Sequence, residues 1–204
     1  MAKKFKTVIG PPRSPYCIGV SGQNPTFIPD FLDAATCRAV RCAMDGGAID
    51  PAEILADGIA LDEQARRALS IEVDSETLAA IERRFDVARP WLSARAEAQL
   101  TGREGAGFIR YSHGGFYGPH HDQGQDRQWP DAARRRLAVV VFLNHEGFIG
   151  GELVIYNGAR RGEQCDPIAI TPRQGLLVAF DARRLHEVRP VQGGIRDVIV
   201  DWFY

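Results

Sequence analysis

A chain of 204 residues, 45% hydrophobic and 25% charged, has the size and composition of a single globular domain that buries its own core. A formal charge of −1 gives no overall basic field, so nucleic acid is not an expected partner, although residues 134–136, Arg160 with Arg161, and Arg183 with Arg184 are local basic clusters. The cysteines Cys17, Cys37, Cys42 and Cys165 are irregularly spaced with no CxxC pair, which argues against a zinc ribbon or a disulfide framework and fits a reducing, cytoplasmic setting.

Lys3, Lys4 and Lys6 are followed by no apolar run, so a secretory signal is not expected. No stretch has the length of a transmembrane helix, and no membrane partner is expected. Residues 1–26, rich in Pro, Gly, Ser and Asn, read as an N-terminal arm. Residues 27–102 read as a mostly helical support. Asp33 can cap a helix carrying Cys37, Val40 and Met44 at helical spacing, which Gly46 and Gly47 stop. Residues 48–68 are ambiguous, and 69–73 alternate like a short strand. Asp74 or Ser75 caps a second helix striped by Leu78, Ile81 and Phe85. Pro90 should end or kink it, after which Leu92, Ala96 and Leu100 keep a spacing of four.

After Gly102 the pattern changes to short β-branched or aromatic runs divided by Gly, Asn, Asp and Pro. They fall at 107–112, 117–122, 137–143, 152–156, 167–170, 175–180 and 196–204, the strand density of a jelly roll or small sandwich. The run 137–143 is apolar on both faces, so it predicts a central strand covered by the N-terminal helices. No internal repeat or linker divides the chain, and residues 1–204 read as one domain with its β core over 103–204.

Residues 107–122 end in the only His-x-Asp of the sequence, His120 and Asp122. Extended chain puts i and i+2 on one face, which is two thirds of a facial triad of two histidines and a carboxylate. His186 is the candidate third ligand, and such a set leaves positions of Fe(II) open. In the final strand Arg196, Val198, Val200 and Trp202 share a face, and Asp197, Ile199, Asp201 and Phe203 share the other. The two aspartates mark the second face as the wetter one, leaving Arg196 facing the barrel. A buried guanidinium needs an anion, either a structural carboxylate or the far end of a dicarboxylate co-substrate. His113, His121 and His145 match no ligand position and read as solvent-facing or loop residues.

Tyr111-x-x-Gly114-x-x-Tyr117-x-x-His120-x-Asp122 resembles the opening motif of Fe(II)- and 2-oxoglutarate-dependent dioxygenases of the prolyl 4-hydroxylase type. Phe142-Leu143-Asn144, Gly150-Gly151-Glu152, Pro172-x-x-Gly175, Phe180, His186-Glu187-Val188, Pro190-Val191, Gly194, Arg196 and Trp202 follow in that family's order. The resemblance implies an α+β fold: a double-stranded β-helix of about eight strands with helices packed on its major sheet. It implies Fe(II) held by His120, Asp122 and His186, 2-oxoglutarate bound through Arg196 with Tyr111 nearby, O2 as oxidant, and ascorbate as a stimulant. The implied reaction hydroxylates an unactivated C–H of a peptidyl, including prolyl, or small-molecule substrate, releasing succinate and CO2. The sequence departs from the family at Phe142, where Tyr is common, and at Leu153, where Thr is usual.

Two other readings stand beside this one: a catalytically silent β-barrel that binds a ligand or protein, and a cupin-like metal-dependent hydrolase or isomerase. Residues 123–136, with Trp129 and three consecutive arginines, form a candidate lid or a solvated basic loop. A monomer or homodimer is expected.

Overall fold

The structure is a computed structural model, and it describes residues 25–56, 58–60, 62–124, 130–157 and 166–204. Nearly all of the expected arm, Cys17, Cys165, Arg160, Arg161 and Trp129 lie outside the described residues. Strand β1 (Thr26–Ile28) leads to helix α1 (Ala34–Asp45). Asp33 starts α1 by accepting the Thr36 amide hydrogen at 2.7 Å, a cap that satisfies one of the orphan donors of the first turn. Short strands β2 (Ile49–Pro51), β3 (Ile54–Ala56), β4 (Gly58–Ala60), β5 (Arg66–Arg67) and β6 (Leu69–Ile71) come next. Helix α2 (Ser75–Ala96) is capped by Asp74, which accepts from the Thr77 amide at 2.8 Å. Pro90 lies inside α2 and does not end it. Both Pro90 and Asp86, whose carbonyl loses its helical donor, are on the exposed side, where water serves instead.

The remaining strands are β7 (Gly107–Tyr111), β8 (Phe116–His120), β9 (Leu137–Phe142), β10 (Phe148–Gly150), β11 (Leu153–Asn157), β12 (Asp166–Ile170), β13 (Leu177–Asp181), β14 (His186–Val188), β15 (Val191–Gly194) and β16 (Arg196–Phe203). They build a seven-stranded sheet in the order β1-β13-β9-β16-β7-β6-β2 and a five-stranded sheet in the order β12-β11-β14-β8-β5. The pairings are antiparallel throughout, with β10 and β15 forming a separate two-stranded ribbon. This is the expected double-stranded β-helix with two helices. The support segment is less helical than its sequence suggests. Its strands β2 and β6 widen the larger sheet and β5 the smaller one; β6 pairs with β7, β2 with β6 and β5 with β8, so they need no alternating pattern of their own.

Both faces of the larger sheet are buried, as the apolar run at β9 requires. Val139, Val141, Leu177, Ile199 and Phe203 pack against Val40 and Met44 of α1 and Ile81, Phe85 and Leu92 of α2. Ile109, Ala138, Val140, Phe142, Val178 and Val198 face Leu153, Ile155 and Val188 of the smaller sheet. The parity expected for β16 holds, but the face carrying Asp197 and Asp201 is not wet: both aspartates are fully buried under the helices. Asp197 accepts from Arg41 at 2.8 Å and from Arg110 at 2.7 and 3.0 Å, and Asp201 from Arg103 at 2.9 Å and the Gly105 amide at 3.0 Å. Distant arginines supply the charge that solvent would otherwise supply.

Candidate metal centre and the cavity around it

His120 ends β8, His186 opens β14, and the two are cross-strand partners. The next registered pair is Val188 with Tyr117, three steps along β8 against two along β14. That bulge puts Tyr117 and His120 on one face although they are three residues apart. Their rings stack with centroids 3.4 Å apart at 14°. Asp122 lies just past β8, and its amide donates to the Ala182 carbonyl at 2.9 Å. The same turn supplies the Arg184 carbonyl, 2.9 Å from His186 Nδ1. One turn between β13 and β14 therefore fixes two of the three expected ligands.

His120 Nδ1 is 2.8 Å from the Gly118 carbonyl. With each Nδ1–H donated to a carbonyl, the Nε2 lone pairs are left for a cation. These nitrogens lie 3.5 Å (His120) and 3.4 Å (His186) from the two oxygens of Asp122. All three candidate donor atoms fall within 4.8 Å of one another. Burial pushes the His186 imidazole down to about 4, so it is neutral and able to ligate at physiological pH. Burial raises the Asp122 carboxyl, but the two imidazoles and a side-chain hydrogen bond from Trp202 outweigh it and hold the group well below its usual range. The neutral His186 nitrogen and the ionised Asp122 carboxylate, with His120 Nε2 beside them, fit a divalent iron site.

A cavity of about 250 Å³ runs from these residues to Arg196 and is lined along the way by Tyr111, Leu153, Val188 and Val198. Arg196 is 1% exposed, and among the described residues none of its three guanidinium nitrogens has a hydrogen-bond partner. Burial pulls its pKa down to about 10, so it stays charged at neutral pH. An unpaired buried cation costs several kcal/mol, and a carboxylate is the partner its planar fork fits best. Its guanidinium carbon lies 5.0 Å from the Tyr111 ring, its cross-strand partner, and 5.2 Å from Phe142. Asn144 holds the backbone on both sides, donating to the Ile195 carbonyl at 2.8 Å and accepting from the Asp197 amide at 3.0 Å. Gly151 has φ +66°, and a Cβ there would stand 2.9 Å from Arg196 Cδ. The Gly-Gly motif thus makes room for the arginine.

Sequence reasoning missed several neighbours of the site. Arg135, one of the three consecutive arginines, is buried and pairs through two nitrogens with Glu104 at 2.5 and 2.7 Å. It also donates to the Asp122 carbonyl at 3.1 Å and lies 4.0 Å over the Trp202 ring. Arg134 instead faces outward, bonded to Asp131 at 3.1 Å, so these two neighbouring arginines do not share one basic surface. The signal for Arg135 was the lone Glu104 opposite it, unreadable without the fold. His113, His121 and His145 are exposed, as expected, and none is among the clustered donors, although His121 lines the cavity.

Residues 106–204 match the family model of the 2OG-Fe(II) oxygenase superfamily. A crystal structure of a Pseudomonas putida prolyl-4-hydroxylase superposes at 25% identity with a TM-score of 0.62, covering 88% of this chain and 91% of that one. A prolyl hydroxylase from Trichoplax adhaerens, in complex with a hypoxia inducible factor oxygen degradation domain peptide fragment, gives 21% identity and a TM-score of 0.68 over 89% and 84%. The viral collagen prolyl hydroxylase of Paramecium bursaria Chlorella virus-1, a 2OG complex, gives 19% and 0.58 over 91% and 98%. These last two likenesses are of fold. No curated protein matches the chain. Among the described residues no helix is long and apolar enough to cross a membrane. Residues 106–204 thus carry the match to the 2OG-Fe(II) oxygenase superfamily, on a fold shared with prolyl 4-hydroxylases.

Proposed function

We propose that the chain hydroxylates an unactivated C–H of a peptidyl substrate, prolyl residues foremost, or of a small molecule, converting 2-oxoglutarate and O2 to succinate and CO2. The observation that carries this is the pairing, in one cavity, of a three-donor cluster with a partnerless buried guanidinium. His120, Asp122 and His186 would hold Fe(II), and Arg196 would take the far carboxylate of 2-oxoglutarate, with Tyr111 walling its path. Bound iron and 2-oxoglutarate supply the oxidising chemistry. The chain's own contribution is orientation and exclusion of water. The carbonyls of Gly118 and Arg184 fix both imidazole planes, Arg135 and Ala182 fix the Asp122 backbone, and Tyr117 packs flat on His120. A dication and a doubly charged co-substrate, set against Asp122 and Arg196, leave the interior neutral, as burial demands. A hydrolase or silent-barrel reading leaves Arg196 without an occupant. The prolyl hydroxylase structures that share the fold support a peptidyl substrate.

The test is succinate formation from 2-oxoglutarate with Fe(II) in air. His120→Ala and His186→Ala should each abolish it while leaving the far-ultraviolet circular dichroism unchanged. Normal turnover by either variant refutes the assignment. A mass-spectrometric screen of peptides and metabolites for a gain of one oxygen then identifies the substrate.

A further inference from the structure

Arg66, which belongs to the N-terminal half of the chain, stands at the mouth of the same cavity. It is the cross-strand partner of Tyr117, and its guanidinium carbon sits 4.6 Å from that ring's centroid. The order from the outside inward is therefore Arg66, Tyr117, His120. Among the cavity's lining residues Glu53, whose carbonyl Arg66 contacts, is exposed, which sets Arg66 toward the solvent side.

The guanidinium is only partly used. Nη1 donates to the main-chain carbonyl of Glu53 at 2.6 Å, while Nε is buried with no hydrogen-bond partner. Among the described residues no carboxylate pairs with it. With Nη1 engaged, the free side of the fork is the Nε–Nη2 edge, whose two parallel N–H groups match the two oxygens of a planar carboxylate. The other arginines on the cavity wall have different assignments: Arg135 is paired with Glu104, and Arg196 lies at the deep end. Because Fe(II), 2-oxoglutarate, Asp122 and Arg196 would balance one another and Arg135 is paired with Glu104, Arg66 is the arginine left without a carboxylate among the described residues of the lining.

We propose that Arg66 is a specificity-determining residue that receives a carboxylate of the substrate, placing the neighbouring C–H over the metal ligands beside Tyr117. This rests on the oxygenase reading. The carboxylate has two possible sources: an acidic side chain of a peptide or a free carboxylic acid.

The test uses matched probes on protein loaded with Fe(II) and 2-oxoglutarate under anaerobic conditions, with binding read from tryptophan fluorescence, since Trp202 lines the cavity. One arm compares capped pentapeptides with a central proline and Glu or Gln at each flanking position. The other compares free L-proline and L-glutamate with their amides. At least one acid should bind about tenfold or more tighter than its amide, and the arm in which it does so names the source. Arg66→Gln should bring that ratio close to one, whereas Arg66→Lys should keep most of it. The amide's own affinity serves as the check that each variant is folded. Equal binding within every pair in the wild type, or an acid preference that survives in Arg66→Gln, overturns the proposal. Uncoupled succinate formation by the wild type is scored separately: its absence sinks the oxygenase reading, and its presence without acid preference sinks only this one.

Discussion

Arg196 and Asp197 are consecutive residues on one strand, both essentially without solvent contact, yet they are treated in opposite ways. Asp197 points under the helices and is met by Arg41 and Arg110, with Arg110 tied in turn to Asp45 at 2.7 Å. Arg196 points between the sheets, is met by two aromatic rings and makes no side-chain hydrogen bond among the described residues. One side of β16 spends its charges on holding helices to the sheet. The other holds a charge without a hydrogen-bond partner among the described residues, the charge that the proposed function gives to 2-oxoglutarate. A buried ionic group that is fully paired speaks of architecture, and one left bare speaks of function.

The largest effect should come from breaking the paired side. Asp197→Ala strands Arg110 and Arg41 beside an apolar core, and should destabilise the protein by about 3–5 kcal/mol. Urea denaturation of the metal-free protein measures this. A loss under about 1 kcal/mol would mean that the two arginines find water or other carboxylates, and the contrast with Arg196 would weaken.

The site's own buried groups should make stability depend on pH in one direction. His186 titrates at about 4 in the folded protein against 6.5 when unfolded. Below pH 6.5 the unfolded chain takes up a proton that the folded one refuses, so stability that is full above that pH is lost as pH falls towards 4. For the metal-free protein the loss should be about 3 kcal/mol between pH 7 and pH 4. Asp122, also depressed, adds a loss in the same sense only at lower pH, where the unfolded carboxyl protonates. His186→Gln should flatten the upper part of this profile; an unchanged slope would assign it to other groups.

Arg196→Met tests the bare side. Replacing an unpaired buried cation by an apolar chain of similar length should raise stability without ligand by roughly 2 kcal/mol, the reverse of the Asp197 result. The same variant should lose the thermal shift that 2-oxoglutarate gives the wild type, because a ligand stabilises only the state it binds. A destabilised Arg196→Met that still responds to 2-oxoglutarate would place the far carboxylate elsewhere.

What the sequence made legible was local or ordered. Asp33 and Asp74 each stand four residues ahead of the first residue of an apolar stripe, so both helix starts were readable, and the uniformly apolar β9 announced a strand covered on both sides. His120, Asp122, His186 and Arg196 were readable from the family's order and spacing. Three features were not. Tyr117 joins His120 only because a bulge changes the parity of β8. Arg135 meets Glu104 across 31 positions, hidden in a run of like charges that looked solvated. Asp197 and Asp201 looked wet because their partners, at positions 41, 103 and 110, come from other elements. Strands β10, β14 and β15, at three or four residues, are too short to show alternation.

Phe142 offers the smallest and most specific change. Prolyl 4-hydroxylase-type sequences often carry a tyrosine here, and in this chain the ring lies 5.2 Å from the Arg196 guanidinium carbon with no hydroxyl to offer. Phe142→Tyr adds one oxygen beside the bare cation. If that oxygen reaches the space where the far carboxylate of 2-oxoglutarate binds, it supplies one further hydrogen bond, worth about 1 kcal/mol, and the 2-oxoglutarate requirement should fall roughly fivefold. Because Phe142 is fully buried, the added atom also presses on the core, and the ligand-free protein should gain nothing in stability. A variant with unchanged 2-oxoglutarate affinity but higher ligand-free stability would mean that the hydroxyl pairs with Arg196 itself. The bare charge would then have been quenched from within, and that outcome separates a guanidinium reserved for a ligand from one that is merely unsatisfied.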